Sequence, residues 1–162
     1  MKMLAKCLGS VALVLAVIFA YLIAGTRLQV TISNEEIIPA SQESELFYQA
    51  LREIESGALG DRQYASLSGT DIDRYSFIAL DLSIGSFGLL PCEWVRAGIA
   101  PKEGDVALLS SDLPDVQPLS RVKARLWILT EADRAQTGHS AWIEYYAFGY
   151  QVFADARKIS AN

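Results

Sequence analysis

Cysteine and histidine are scarce: the 162-residue chain holds two cysteines, Cys7 and Cys92, and one histidine, His139. Zinc sites draw three or four ligands from Cys, His and carboxylates arranged at short spacings, and so few thiols and imidazoles supply no such set. Calcium fares no better. "GTDIDR" offers Asp71 and Asp73 but lacks the later glycine and glutamate of a calcium loop. The chain has no G-x-S-x-G for a serine nucleophile elbow, no G-x-x-x-x-G-K-[ST] for a phosphate loop, and no G-x-G-x-x-G for a dinucleotide. No metal and no cofactor is implied. Internal repeats and low-complexity tracts are also missing.

Acidic residues are absent from the first 34 positions, the earliest being Glu35. Within that stretch, "CLGSVALVLAVIFAYLIA" runs from Cys7 to Ala24, 18 residues without a charge, close to the length that crosses a bilayer. A cleaved signal peptide has a shorter apolar core and small residues before the cut. Here a cut after Ala24 would put Leu22 where a small residue is preferred. Residues 1–27 are therefore expected to form a cytoplasmic N-terminus and an uncleaved transmembrane signal anchor, touching the lipid bilayer through residues 7–24. Lys2 and Lys6 precede the run and Arg27 follows it, so the positive-inside rule places the N-terminus in the cytoplasm and the rest outside the cell (inner) membrane. On that topology a bilayer separates Cys7 from Cys92 and excludes a disulfide between them.

After residue 27 the chain carries 11 basic and 19 acidic residues, a net charge of −8. Such a surface repels phosphate backbones, so no nucleic-acid partner is expected.

Residues 28–73 read as an extracytoplasmic linker, an amphipathic helix and a loop. "LQVTIS" suggests a short extended piece, and "NEEIIPAS" a polar turn. In "SQESELFYQALREIES", Leu46, Phe47, Ala50, Leu51 and Ile54 fall on one stripe of a 3.6-residue period, with Ser41 and Ser44 as N-cap options and Gly57 and Gly60 as stops. From residue 74 to 162 the period becomes two. Ile78, Leu80, Leu82 and Ile84 share one face of a half-buried strand. "CEWVRAGIA", "VALLS" and "RVKARLWIL" follow as strands, with "PKEGD" and "SDLPDVQPLS" between them. "AWIEYYAFGYQVFADARK" is long enough for one bent strand or two, with Gly149 as the bend. The expected fold is mainly β, an antiparallel sandwich of about five to seven strands.

The order "FIALDLSI", "PCEWVRAGI", a proline turn before "VKARLWIL", and a final aromatic strand resembles the Ig-like accessory domains of bacterial single-pass envelope proteins. That resemblance implies a domain that binds or spaces other molecules. A helix followed by a curved antiparallel sheet behind one anchor also resembles the periplasmic cores of some secretion-channel subunits, which makes an α+β sheet with a packed helix the alternative fold.

Four groups of residues are candidates for chemistry. Cys92 and His139 are the one possible thiol–base pair of a membrane-tethered cysteine hydrolase. Cys92 opens a strand, however, and lacks the helix N-terminus that lowers a thiol pKa; it reads as a buried strand residue, and Trp94 as the packing anchor of that strand. Glu93 and Glu144 sit amid aromatics in strands, as a carboxylate pair would. Trp142, Tyr146 and Phe148 share one face of a period-two strand, either covered or presented outward to a partner. Arg121, Lys123 and Arg125 alternate along another strand and suit solvent, an anionic partner or a lipid surface. The reading that results is a bitopic envelope protein, not an enzyme, whose β domain serves protein–protein contact or assembly. A tethered cysteine hydrolase and a subunit of a secretion-type complex are the alternatives.

Overall fold

The computed structural model describes residues 2–25, 27–110, 112–147 and 149–158, without the side chains of residues 2–9, 21, 23–25 and 158. From residue 28 onward, apolar–polar alternation and β-branched residues produce eight strands: β1 (Leu28–Pro39), β2 (Tyr75–Ser86), β3 (Glu93–Ile99), β4 (Asp105–Leu108), β5 (Arg121–Glu131), β6 (Ala141–Ala147), β7 (Tyr150–Asp155) and β8 (Arg157–Lys158). They form two sheets, one ordered β4-β5-β2-β1-β8 and the other β3-β6-β7. Every pairing is antiparallel except the two-residue match of β1 with β8. The mainly β, two-sheet expectation holds.

The main core fills the space between the sheets. Ile78, Leu80, Leu82 and Ile84 of β2 meet Val30, Ile32, Leu126 and Ile128 on their own sheet and Val95, Ala97, Ile99, Ile143 and Tyr145 from the other. Each fully buried large apolar side chain of this set contributes roughly 1.5–3 kcal/mol. A second core lies on the outer side of the larger sheet. There α2 (Ser44–Glu55) buries Phe47, Ala50 and Leu51 against Tyr75, Phe77 and Leu129. One end of the molecule therefore has three layers, helix on sheet on sheet, so the alternative of a helix docked on a sheet is realised within the sandwich. The helix starts from a 3₁₀ turn at Ala40–Glu43, and Glu43 at its N-cap makes no side-chain bond. Neither Ser41 nor Ser44 occupies the cap.

Two expectations need correction. Most of the polar turn "NEEIIPAS" is strand: β1 continues to Pro39, pairing with β2 along its whole length across one bulge between Ile32 and Asn34. Residues 28–39 thus belong inside the five-stranded sheet and are not a linker before it. Next, β2 is buried on both faces at its N-terminal half, because the core around α2 covers Tyr75 and Phe77 from outside.

The segment expected as a membrane anchor, α1 (Lys2–Gly25), is helical, and no helix among the described residues is long and apolar enough to cross a membrane. Val11, Leu13, Leu15, Val17 and Phe19 are all exposed.

Candidate functional site: an outward aromatic sheet face

Alternation assigns the two faces of the three-stranded sheet. Val95, Ala97, Ala141, Ile143, Tyr145 and Ala147 point into the core. Trp94 and Arg96 of β3, then Trp142, Glu144 and Tyr146 of β6, point away from it, with Gln151 and Phe153 of β7 beside them. Register places these side chains against one another: Arg96 opposite Glu144, Gly98 opposite Trp142, and Glu144 opposite Phe153. The Trp142 indole lies across Gly98, where a Cβ would overlap the ring, and meets Phe153 edge-on at 6.0 Å. Glu144 accepts a hydrogen bond from the Gln151 amide. A shallow depression of about 330 Å³ is bounded by Trp94, Arg96, Glu144 and Tyr146. It combines two aromatic walls with one charge of each sign.

Trp94 is the least expected member. Its side chain is 70% exposed, and its backbone adopts φ 53°. A bulky residue in the left-handed region is a backbone outlier that the surroundings must hold in place. Here they do. β3 bulges between Glu93 and Arg96. The Trp94 N–H donates to Asp115 Oδ1 at 2.9 Å. On either side, Cys92 exchanges two backbone bonds of 2.9 Å with Val116, and the Leu113 N–H donates to the Val95 carbonyl. Residues 112–116 thus cover the free edge of β3 and swing Trp94 outward. The expectation that Trp94 is the packing anchor of this strand is overturned, because at the bulge its side chain turns outward.

The thiol–base pair is also overturned. Cys92 directly precedes β3, while His139 precedes β6, whose first residue Ala141 pairs with Ile99 at the far end of β3. The length of β3 separates them, on the order of 20 Å at about 3.3 Å per residue. Cys92 is fully buried, and burial pushes its thiol up to about 11. His139 is fully buried as well. Its Nδ1 lies 2.8 Å from Glu35 Oε1 and its Nε2 3.0 Å from Asp105 Oδ2, so both ring nitrogens are engaged by carboxylates. Burial by itself would lower the imidazole pKa; the hydrogen bonds to Asp105 and Glu35, with their charges, outweigh it and raise the value. Glu35 also accepts the backbone N–H groups of Gly138 and His139 at 2.7 and 2.9 Å. The arrangement is a buried ionic clasp that fastens the loop before β6 to β1 and β4.

Of the other candidates, Glu144 lies on the aromatic face and Glu93 at its edge, opposite Tyr146. Trp142 and Tyr146 come together there as their spacing suggested, while Phe148 lies outside the described residues. Arg121, Lys123 and Arg125 share the outer face of β5, beyond the area that α2 covers, along a groove of about 700 Å³ with Thr31, Ser33 and Asp81. Arg125 is committed to Asp81 through two bonds of 2.6 and 2.9 Å and lies over the Trp127 ring. Sequence reasoning missed Glu35, Asp105 and Asp115, whose partners are 104, 34 and 21 residues away.

No family model matches the chain, and no curated protein matches it. Among solved structures, it is similar to an uncharacterized β-sandwich protein from Clostridium difficile, with 9% identity, a TM-score of 0.35, and coverage of 80% of this chain and 85% of that one.

Proposed function

We propose that this chain is a membrane-tethered Ig-like module, not an enzyme, whose outward aromatic face binds a partner protein during envelope assembly. The observation that carries the reading is Trp94, held exposed in a costly backbone conformation by a bulge and an Asp115 bond. A residue kept out of the core at such a cost is more economically explained by recognition than by folding. Arg96 and Glu144 beside it add charges of both signs, which would fix the register of a partner rather than its bulk affinity.

The Ig-like part of the proposal rests on strand order. In Ig domains of the constant type, strands A, B, E and D face C, F and G. Lettering β1 to β7 as A to G turns β1-β2-β5-β4 and β3-β6-β7 into those two sets. α2, inserted between β1 and β2, is the departure. The tether part rests on the charge-free residues 7–24 and the exposed apolar side chains of α1. With Lys2 and Lys6 on one side of that run, the N-terminus is assigned to the cytoplasm and the sandwich to the far side of the membrane.

Crosslinking the full chain in its own membranes tests the reading, with Trp94→Gly as the informative variant. Glycine suits φ 53° better than tryptophan does, so the unfolding midpoint should hold or rise while the crosslinked neighbour disappears. The same neighbour captured in the same yield by Trp94→Gly sinks the proposal.

A further inference from the structure

Outside α1, nine large apolar side chains are exposed among the described residues, and six of them gather at one end of the sandwich: Phe87, Leu89, Trp94, Leu119, Tyr146 and Tyr150. Pairing shows why they share that end. Leu28, the first residue of β1, is opposite Ser86, the last of β2. Gly85 is opposite Arg121, the first of β5. Glu93 opens β3 opposite Tyr146, and Ala147 closes β6 opposite Tyr150. Residues 87–92 link the two sheets at this level.

This is also the end from which the chain runs into α1. The helix closes at Gly25, three residues before Leu28, so their Cα atoms are at most about 11 Å apart. Leu28 is itself fastened across the sandwich, its N–H donating to the buried Tyr145 hydroxyl at 3.1 Å. The apolar end cannot move away from the end of the helix.

The loops that carry the exposed side chains are built to hold them out. The Ser86 N–H donates to the Ser120 carbonyl at 2.9 Å, and the Leu119 N–H to the Gly88 carbonyl at 3.2 Å, which locks residues 86–88 to residues 119–120. Leu119 adopts φ 53° with 68% of its surface exposed. The Phe87 ring and the Arg121 guanidinium both lie about one van der Waals contact from Gly85, each 3.8 Å from where a Cβ would stand. Arg27, Arg121 and Lys123 are exposed around this end. Glu93 and Asp115 lie toward this end on the side of the three-stranded sheet, where Asp115 accepts the Trp94 N–H, while Asp81, which lines the same groove as Arg121 and Lys123, is paired with Arg125.

We propose that this end of the sandwich is a second, interfacial membrane contact. Phe87, Leu89, Leu119 and Tyr150 enter the boundary between headgroups and acyl chains, and Arg27, Arg121 and Lys123 meet the phosphates of anionic lipids. Apolar side chains flanked by basic ones are the composition that binds such a boundary, and this is the basic part of an otherwise acidic domain. The contact rests on the tether reading above. Seated in this way, the sandwich stands upright, with Trp94 and Tyr146 at the lipid margin and the rest of the aromatic face presented sideways to neighbours in the same membrane.

The test uses the full chain carrying Cys7→Ser, reconstituted in phosphatidylcholine vesicles with and without phosphatidylglycerol. An environment-sensitive dye is attached in turn through Leu119→Cys, Leu15→Cys and Tyr48→Cys. The proposal expects the dye at 119 to shift to the blue and to be quenched by lipids carrying a nitroxide near the headgroup, more strongly with phosphatidylglycerol. Arg121→Gln with Lys123→Gln should weaken that seating on the order of ten-fold. The dye at 15 should report the acyl core, and the dye at 48, on α2, should stay in water. A dye at 119 that stays in water while the dye at 15 is in acyl chains overturns the contact and leaves the tether standing. A dye at 15 in water overturns both. Equal shielding at 48 and 119, or shielding at 119 in native membranes but not in protein-free vesicles, also overturns it, the first as adsorption and the second as a protein neighbour.

Discussion

His139 shows how much one buried side chain can organise. Replacing it by alanine would leave Glu35 and Asp105 facing each other without the imidazole, and breaking a buried ionic pair in this way costs about 3–5 kcal/mol. The effect has a pH signature. Because the folded-state pKa is raised, the stabilisation is complete below the ordinary imidazole value of about 6.5 and is lost as pH rises through the higher folded value. Denaturant unfolding at a series of pH values from 6 upward should therefore show declining stability in the parent and a flatter profile in His139→Gln. A parent profile that rises with pH would refute the clasp. Cys92 makes a simpler forecast. Buried, with its thiol pushed up to about 11, it should resist maleimide in the folded chain and react at once in denaturant. Mass spectrometry of the modified protein distinguishes the two.

Among the elements, those shaped by local pattern were legible in the sequence and those shaped by distant partners were not. The stripe from Leu46 to Ile54 became α2, and the alternation of Ile78 to Ile84 became the core face of β2. Gly149, expected as a bend, stands between β6 and β7 with φ 73°. The second half of β1 was misread because "NEE" is polar. Its Glu35 is satisfied by a loop 104 residues away, and no local window reports that. Trp94 was misread for the same reason, since its direction depends on a bulge and on Asp115. The aromatic face, by contrast, was visible in the period-two spacing of Trp142 and Tyr146. Its packing gives a test: in Gly98→Ala a Cβ would overlap the Trp142 ring. Such overpacking costs about 1–3 kcal/mol unless the indole swings out. Thermal unfolding and tryptophan fluorescence should move together, and a variant unchanged in both would contradict the stacked geometry.

At the scale of the molecule, composition divides the surface by sign and by polarity. The end near His139 is closed by the clasp, while the end at Leu28 holds six of the nine exposed large apolar side chains found outside α1 among the described residues. The sequence reading placed the sandwich after residue 73, so it kept the N-terminal residues apart from the sheet. Including β1 in the sheet brings Leu28 to that apolar end and links its composition to what precedes it in the chain. Raising ionic strength should loosen the proposed seating on anionic vesicles without moving the unfolding midpoint, since the charges involved are exposed. Dye emission at 119 and a parallel melt would separate the two effects.

The long ladder between β1 and β2 has a mechanical consequence. A pull transmitted from α1 enters the sandwich at Leu28 and runs along the axis of β1, which is matched to β2 from Leu28 to Pro39. Antiparallel ladder bonds lie perpendicular to their strands, so this load shears them together and cannot peel them one at a time. β8 lies parallel to β1 on its other side through Arg157 and Lys158 and adds two residues to that ladder. Tension applied through α1 along the axis of β1 therefore meets the domain in its most resistant direction.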